Sequence, residues 1–231
     1  MYSSLYQDKN NAYFNHSRPE MLEFIPAGIK NVLDVGCGTG NFGMMVKSAF
    51  NCSVWGVEPD PASANEASTR LDHAINDTFN ASIKDLQIPK FDCIFFNDVL
   101  EHLPEPDQAL LLAKDLLNEG GSIIASIPNI RWYPVILHLL RYKDFKYQNS
   151  GVMDKTHLRF FTEKSMVRMF NDAGFTIKTI KGLNKDNFRF LNILNVLLFN
   201  KLEDMKYPQF GMAAFITDGN RELGHGNQES R

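Results

Sequence analysis

The chain has little of what several protein classes require. Its three cysteines include no Cys-x-x-Cys pair, which leaves no zinc or dithiol motif and favours buried apolar roles in a reducing compartment. The net charge is −3, whereas domains that bind duplex nucleic acid typically carry an excess of basic residues, so no nucleic-acid partner is expected. The densest apolar run, residues 188–199, is interrupted by Asn192 and Asn195, and it is shorter than the about 20 residues that a transmembrane helix needs.

Targeting and repeat signals are missing as well. The first residues show no basic stretch followed by an apolar one, so no signal peptide is expected and the predicted location is cytoplasmic. No internal repeat or low-complexity tract is visible. Hydrophobic residues make up 44% of the 231 residues, enough for a full core, and we expect one domain over residues 1–231.

The strongest signal is the run Val-Leu-Asp-Val-Gly-Cys-Gly-Thr-Gly at residues 32–40. A short apolar stretch carries one acid, Asp34, and ends in three glycines at alternate positions. This pattern predicts a buried strand followed by a turn where the backbone approaches a ligand closely. Glu58 stands twenty residues beyond Gly38, at the end of a second strand-like run. Strand, glycine turn, helix, strand and acid form the unit that holds a nucleoside by its ribose hydroxyls.

Charge distinguishes between the possible nucleoside ligands. Residues 38–43 also satisfy the glycine pattern of dinucleotide binders, but a pyrophosphate needs a helix start without a nearby anion. Asp34 lies two residues before the first glycine, and no Lys or Arg occurs between Asp34 and Lys47. The two acids favour a cationic ligand such as S-adenosylmethionine (SAM) over NAD, with Asp34 at the amino-acid end and Glu58 at the ribose diol.

With these residues the chain resembles a class I SAM-dependent methyltransferase, of the group that includes the ubiquinone-biosynthesis O-methyltransferases. The matching segments are residues 32–40, 57–60, 91–103 and 127–129. A narrower resemblance, carried by residues 154–162 (Asp-Lys-Thr-His-Leu-Arg-Phe-Phe-Thr), is to bacterial methyltransferases associated with surface-polysaccharide biosynthesis. The resemblance implies SAM as cofactor and S-adenosylhomocysteine (SAH) as product.

The expected fold is α/β: a three-layer Rossmann-like methyltransferase fold with a mostly parallel seven-stranded sheet. Periodicity predicts strands at 31–36, 53–57, 73–76, 91–96, 121–127 and 175–180, and helices at 41–50, 61–71, 106–118 and 163–173. Residues 210–217 are expected as an antiparallel seventh strand between strands five and six, as the resemblance implies.

Three segments are expected to extend this scaffold. A helical cap over residues 1–30 would include a helix at 17–25, with Ser17 and Glu20 forming a capping box. Residues 129–160 and 183–207 are predicted insertions near the ligand-binding edge of the sheet, forming a substrate lid or a dimer face. Contact of the apolar run with a membrane surface, and a homodimer, remain alternatives.

The resemblance implies further cofactor contacts. Cys37, Gly36, Gly38 and Gly40 belong to the loop around the cofactor, and Pro59 follows the ribose acid.

Beyond this loop, Asp77 is expected near the adenine amino group, with Asn76 and Thr78 as alternatives. Asn97 or Asp98 should line the methyl-donor pocket, and Arg18 resembles an arginine that pairs with the SAM carboxylate. Tyr6 and Tyr13, in the N-terminal segment, are candidates to close over the cofactor.

The catalytic candidates are two histidines and an arginine. His157 or His102 would remove the acceptor proton, because imidazole titrates near neutral pH, and Arg159 would anchor an anionic acceptor. Asp98, Glu101 and His102 resemble the divalent-metal set of some ubiquinone-pathway enzymes, but no metal is predicted, since packing roles account for these residues too.

The function that these patterns favour is methyl transfer to a small hydroxylated acceptor. A sugar, sugar-nucleotide or glycan precursor is the first expectation, and a quinone-like phenol the second. A protein or RNA substrate is disfavoured, because strand four ends in Asn-Asp-Val-Leu at residues 97–100 rather than in an Asn-Pro-Pro-Tyr type tetrapeptide. A SAM-binding partner subunit without chemistry is the remaining alternative.

Overall fold

A computed structural model describes residues 17–217. The described strands are β1 (Asn31–Val35), β2 (Ser53–Val57), β3 (His73–Ile75), β4 (Phe91–Asn97), β5 (Leu117–Pro128), β6 (Phe175–Leu183) and β7 (Gln209–Ile216). The α-helices are α1 (Asn41–Phe50), α2 (Pro61–Ala67), α3 (Pro106–Leu116), α4 (Tyr133–Tyr142), α5 (Glu163–Asp172) and α6 (Arg189–Leu197). Short 3₁₀ helices occupy Pro19–Phe24, Ala81–Asp85, Leu100–His102 and Glu203–Lys206.

The strands form one seven-stranded sheet in the order β3-β2-β1-β4-β5-β7-β6. Strands β1 to β5 pair in parallel, whereas β7 is antiparallel to both β5 and β6. The predicted fold, including the antiparallel strand inserted between the fifth and sixth, is confirmed. The strand order reverses between β1 and β4, which is where open α/β sheets bind their ligands.

Apolar residues cover both faces of the sheet, as a sheet with helices on both sides requires. Along β4, Ile94 and Phe96 pack into one cluster, whereas Cys93 and Phe95 pack into the other. This alternation follows from the period of two in a strand. All four side chains are fully buried, so the central strand is anchored on both sides.

The N-terminal cap differs from the prediction. Residues Pro19–Phe24 form a 3₁₀ helix, and the residue before it is Arg18, in the left-handed region with φ 49°. The short helix predicted at 17–25 is present as this 3₁₀ helix, whereas the Ser17–Glu20 capping box is wrong, because Arg18 precedes the helix and no side chain caps it. Pro19 takes the first helical position, where its missing N–H is not needed, and so makes Arg18 the residue before the helix. Tyr6 and Tyr13 lie outside the described residues.

The bounds of other elements also differ from the prediction. Helix α3 ends at Leu116 instead of residue 118, and β5 begins at Leu117 instead of residue 121, so that Gly120 and Gly121 lie inside the strand. Helix α2 ends at Ala67, earlier than predicted. The two predicted insertions carry their own helices, α4 in 129–160 and α6 in 183–207. Within residues 17–217, no helix combines the length and apolar character that crossing a bilayer demands.

Candidate functional site

The glycine loop after β1 folds back over β2. The backbone N–H groups of Gly36 and Cys37 both donate to the carbonyl of Val57, at 2.8 and 3.2 Å. Gly36 has φ +69°, and a Cβ there would lie 2.8 Å from Val99 Cγ2, so only glycine fits. The loop thereby brings its backbone against the acid that follows β2.

Glu58 is buried and held by the backbone. Its Oε2 accepts from Gly38 N at 2.9 Å and its Oε1 from Asp60 N at 2.9 Å. Burial raises the pKa of Glu58, and the two backbone hydrogen bonds oppose that shift. A carboxylate oxygen has a second lone pair, so both oxygens can still accept from the adjacent hydroxyls of a ribose.

Asp34 lies with Glu58 at the glycine loop, and we call these two acids the cradle. One carboxylate oxygen of Asp34 has no hydrogen-bond partner in the described part of the chain. The residue is 3% exposed, and its Oδ2 has no hydrogen-bond partner within residues 17–217. Burial, followed by the charge of Glu58, raises the pKa of Asp34 to about 8. A buried carboxylate without a partner costs free energy, so a cationic donor in the adjacent cavity would stabilise it.

Both acids line one cavity of about 1480 Å³ at the carboxyl end of the parallel strands. On the nucleoside side, the walls include Gly36, Gly38, Val57, Pro59, Thr78 and Phe79. On the opposite side they include Arg18, Asn97, Asp98, Glu101, His102, Trp132, His157, Asn184 and Gln209. The cavity thus joins the cofactor candidates to the catalytic candidates.

Some predicted cofactor residues lie elsewhere. Asp77 is exposed and does not line the cavity; its Oδ1 accepts from Thr78 N at 2.7 Å. Thr78, one of the two alternatives, lines the cavity together with Phe79, whose ring offers an apolar surface for a base. The other alternative, Asn76, donates its amide to the backbone carbonyls of Glu58 and Pro59.

Cys37 packs beneath the loop instead of facing the cavity. A Cβ at Gly56 would lie 2.6 Å from Cys37 Sγ, and burial raises the pKa of this thiol. Gly40 does not line the cavity either; it precedes helix α1, and a Cβ there would meet the backbone of Ala67 at 3.2 Å. Both residues shape the loop from behind.

A polar cluster closes the opposite wall. Arg18 forms an ion pair with Asp98 and donates to Gln209 Oε1 at 2.8 Å. Asp98 also accepts from Gln209 Nε2 and from Ser126 Oγ. Asn97, beside it, buries both amide atoms without a hydrogen-bond partner in the described part of the chain. The amide can therefore serve a ligand as both donor and acceptor.

The two candidate histidines lie together, and Glu101 lies with them. The rings of His102 and His157 are 4.8 Å apart, and His157 Nε2 is 3.9 Å from Glu101 Oε1. His157 Nδ1 lies 3.1 Å from the carbonyl of Val152. Because a carbonyl only accepts, this contact places the proton on Nδ1 and leaves Nε2 as the basic nitrogen on the side of Glu101.

Glu101 is the least satisfied acid of this wall. It is 1% exposed, and neither carboxylate oxygen has a hydrogen-bond partner within residues 17–217. Burial raises its pKa to about 8. Its backbone carbonyl accepts from Leu158 N and Arg159 N at 2.8 and 3.1 Å, which fixes the 154–162 segment against the end of β4.

Arg159 is placed outside the cavity. Its guanidinium is exposed and donates to the carbonyl of Pro104 at 2.6 Å. In the described structure it holds the segment that carries His157, and it does not face the cavity where an acceptor would bind.

The metal set suggested by the resemblance is not the one that the fold assembles. Asp98 is engaged by Arg18 and Gln209, whereas His157 joins Glu101 and His102. These three residues offer ligand atoms within 4.8 Å of one another, the one such grouping in residues 17–217. A carboxylate with two imidazoles suits Zn²⁺, Mn²⁺ or Fe²⁺ chemically. The absence of a metal stays a prediction.

Three further residues line the cavity: Trp132, Asn184 and Gln209. Trp132 follows the matching segment 127–129 and lies in the predicted insertion 129–160, and Asn184 lies in the predicted insertion 183–207, whereas Gln209 was not anticipated. Gln209 begins β7, the strand inserted beside β5, so the antiparallel insertion brings it to the ligand-binding edge. For Gln209, the predicted strand near residue 210 was the only signal in the sequence.

Comparisons with known proteins agree with this geometry. A family described as a methyltransferase domain matches residues 6–180, and the chain belongs to that family. SAM is its cofactor. The chain therefore falls in the class of SAM-dependent methyltransferases, with a likeness to the ubiquinone-type O-methyltransferases.

Among curated proteins, the chain is 30% identical to the mitochondrial ubiquinone biosynthesis O-methyltransferase of Candida albicans, over 53% of this chain and 48% of that protein. It is 27% identical to the ubiquinone biosynthesis O-methyltransferase of Chromobacterium violaceum, over 76% of this chain and 80% of that protein. An uncharacterized transposon protein of Streptomyces fradiae is 24% identical, over 65% of this chain and 45% of that protein. The chain thus spans about half the length of the first and third of these relatives.

Solved structures share the fold. A SAM-dependent methyltransferase from Archaeoglobus fulgidus superposes with a TM-score of 0.61 at 16% identity, covering 89% of this chain and 94% of that one. The plantazolicin methyltransferase BamL, solved with SAH and a desmethyl analogue, gives 0.57 at 14% identity, covering 82% and 78%.

The unsatisfied Asp34 makes stability depend on pH in a direction opposite to the usual one. Its pKa is about 8 in the folded chain and near 4 in an unfolded one, so the folded state binds more protons between these values. Stability therefore falls as pH rises from about 5 to about 8. We expect Asp34→Asn to remove this loss and to raise the free energy of unfolding at pH 8 by at least about 1 kcal/mol.

Urea unfolding of the ligand-free protein at pH 6 and pH 8 measures the effect. Asp144→Asn, at an exposed carboxyl, is the matched control and should leave the pH dependence unchanged. An Asp34→Asn variant that is no more stable than the parent at pH 8 would contradict the assignment of a raised pKa.

Proposed function

We propose that the chain transfers the methyl group of SAM to a hydroxyl oxygen of a small acceptor. The observation that carries the proposal is one cavity with two chemically distinct walls. Asp34 and Glu58 form an acidic wall suited to a cationic nucleoside, and His157 with Glu101 forms an acid–base wall facing it.

SAM supplies a sulfonium methyl group that an oxygen nucleophile can attack in line. The residues of the acidic wall would orient it: Glu58 through the ribose hydroxyls and Asp34 through the ammonium group. Arg18 is placed for the carboxylate, once its contact with Asp98 opens to admit that group. Holding two reactants in an attack geometry can supply a large part of a barrier reduction, about 7–11 kcal/mol in well-oriented systems.

The acceptor hydroxyl must lose its proton as the new C–O bond forms and the C–S bond breaks. His157 Nε2 is the proton acceptor in this proposal, because Nδ1 is committed to the Val152 carbonyl. Glu101 acts through His157: its carboxyl group, once ionised, would stabilise the imidazolium that results. The bond-forming electrons come from the hydroxyl oxygen, and the pair from the broken bond stays on sulfur.

A sugar, sugar-nucleotide or glycan precursor is the acceptor class that we put first. The resemblance of residues 154–162 to polysaccharide-associated enzymes supports this choice, and His157 lies in that segment. The cavity wall also includes hydrogen-bonding groups at Asn97, Asn184 and Gln209 and the indole of Trp132, a mixture that suits a hydroxylated ring.

A quinone-like phenol is the second candidate. The observation that favours it is the likeness to ubiquinone biosynthesis O-methyltransferases of Candida albicans and Chromobacterium violaceum. The same wall residues would serve it, because a phenol hydroxyl also loses one proton during transfer.

Substitution of Asp34 should weaken or abolish SAM binding. Asp34→Ala is expected to abolish measurable SAM affinity and Asp34→Asn to weaken it by at least about tenfold, because the ammonium group loses a charge-assisted hydrogen bond. Isothermal titration calorimetry with SAM and SAH measures both. Asp77→Ala is the matched control and should bind normally, since Asp77 lies outside the cavity. Unchanged affinity in the Asp34 variants would count against the assignment.

Substitutions of His157 and Glu101 should affect turnover and leave SAM binding nearly unchanged. His157→Ala is expected to keep SAM affinity within about twofold and to lower kcat by at least about a hundredfold, the usual contribution of a general base. Glu101→Gln should lower kcat to a smaller extent, about tenfold or more, because it acts through the imidazole. His138→Ala, an exposed histidine of α4, is the control.

Transfer of labelled methyl groups to a panel of acceptors measures kcat. The panel contains sugar nucleotides, glycan extracts and catechols, and each assay is repeated with a chelator and with added Zn²⁺ or Mn²⁺. Loss of activity with the chelator, restored by metal, would replace the histidine base with a metal site. Label in protein or RNA would overturn the small-molecule acceptor, and tight SAM binding with no transfer to any acceptor would indicate a non-catalytic subunit.

A further inference from the structure

An apolar surface flanks the acceptor side of the cavity. Helix α4 contains six aliphatic or aromatic residues between Val135 and Tyr142, yet none of its side chains is buried. Helix α6 buries Leu191 and Asn195 but leaves the other face open. We call the exposed side chains together the apolar rim: Leu137, Leu139, Leu140, Tyr142, Phe145, Tyr147, Ile193, Val196, Leu197, Leu198 and Phe199.

The two halves of the rim start from one junction. The rings of Tyr133 and Phe188, at the starts of α4 and α6, are 4.6 Å apart, and Trp132 Nε1 donates to Asp186 at 2.8 Å. Trp132 also lines the cavity. The rim therefore begins next to a residue of the cavity wall.

The most exposed side chains of the rim exceed the isolated surface leucines, of which Leu111 is 42% exposed. Phe199 is 88% exposed and Leu140 73%. An exposed apolar patch that is bordered by polar residues marks a site of interaction with another protein or with a membrane.

Charge along the two segments of the rim is predominantly positive. Residues 133–147 and 188–201 carry five cationic side chains and one acidic one, Asp144, although the whole chain has a net charge of −3. The five are exposed, and none forms an ion pair within residues 17–217: Arg141, Lys143, Lys146, Arg189 and Lys201.

We propose that the apolar rim docks the protein on an anionic lipid bilayer, with α4 and α6 lying in the interface. Aromatic and aliphatic side chains enter the headgroup boundary, and the surrounding lysines and arginines contact lipid phosphates. A second copy of the chain fits less well, because a two-fold symmetric interface would bring the same cationic border against itself. The inference goes beyond methyl transfer and holds for any acceptor.

Vesicle flotation of the full chain tests the proposal. Wild-type protein is expected to float with phosphatidylcholine vesicles that contain phosphatidylglycerol, less strongly as salt rises, and weakly with phosphatidylcholine alone. Phe199→Glu and Leu140→Glu should each weaken binding by at least about tenfold, because a charge replaces an inserted apolar group. Leu111→Glu, at an exposed leucine of α3 outside the rim, is the matched control.

A charge reversal tests the second half of the claim. The double variant Lys143→Glu with Lys146→Glu should lose at least about tenfold in affinity for the anionic vesicles, whereas Lys164→Glu on α5 should not. Equal binding of wild type to neutral and anionic vesicles would overturn the choice of an anionic surface. No binding to either would overturn the docking itself.

Two further measurements keep the outcomes distinct. Sedimentation velocity reports self-association, and a dimer that Phe199→Glu dissociates, together with no vesicle binding, would assign the rim to a second copy instead. SAM calorimetry on every variant shows whether the cavity is intact. Normal SAM affinity without vesicle binding would remove this inference alone, and vesicle binding without methyl transfer would remove the proposed function alone.

Discussion

The organising constraint of this molecule is a pair of carboxyl groups buried at the edge of a parallel sheet. Asp34 and Glu58 are 3% and 5% exposed, and their proximity raises the pKa of Asp34 further than burial alone. Folding would not favour such a pair on its own account. Its cost is offset only when a ligand brings positive charge and hydroxyl donors, so the cradle is suited to one class of ligand.

The rest of the local structure serves to hold these acids. Strands β1 and β2 pair in parallel with Asp34 beside Gly56, and the missing side chain at Gly56 leaves space for Cys37. The glycine loop then supplies Gly38 N–H to Glu58. Backbone geometry, more than any side-chain network, therefore fixes where the ribose would bind. The same edge carries β4, whose end brings Glu101 and His102 to the opposite wall.

Sequence alone could predict the parts of the fold that depend on local periodicity. The seven strands, the helices α1 and α5 and the antiparallel β7 follow from alternation, caps and resemblance; Thr162, for example, caps α5 through a reciprocal bond with Ser165. The N-terminal helix is present, but its predicted Ser17–Glu20 capping box was wrong, because the helix starts at Pro19 and Arg18 precedes it. The start of β5 was predicted too late, because the strand extends back through Gly120 and Gly121, and local rules disfavour glycine inside a strand.

The candidate site also has a part that the sequence could predict and a part that it could not. Asp34 and Glu58 were predictable, because their spacing within one βαβ unit determines their position. The joining of His157 to Glu101 was not, since it depends on the 154–162 segment docking on the end of β4 through the Glu101 carbonyl. Asp77 and Thr78 illustrate the smallest error: neighbouring residues at a strand end face different ways, and the sequence does not state the register of a turn.

The central claim is that the cradle is uncharged at Asp34 until a cationic nucleoside arrives. Calorimetry of SAM binding at pH 7 in buffers of different ionisation enthalpy tests it most directly, because the dependence on buffer counts the protons released. The account predicts that binding expels close to one proton, since Asp34 must ionise to pair with the ligand. Binding of equal affinity with no proton release would contradict it.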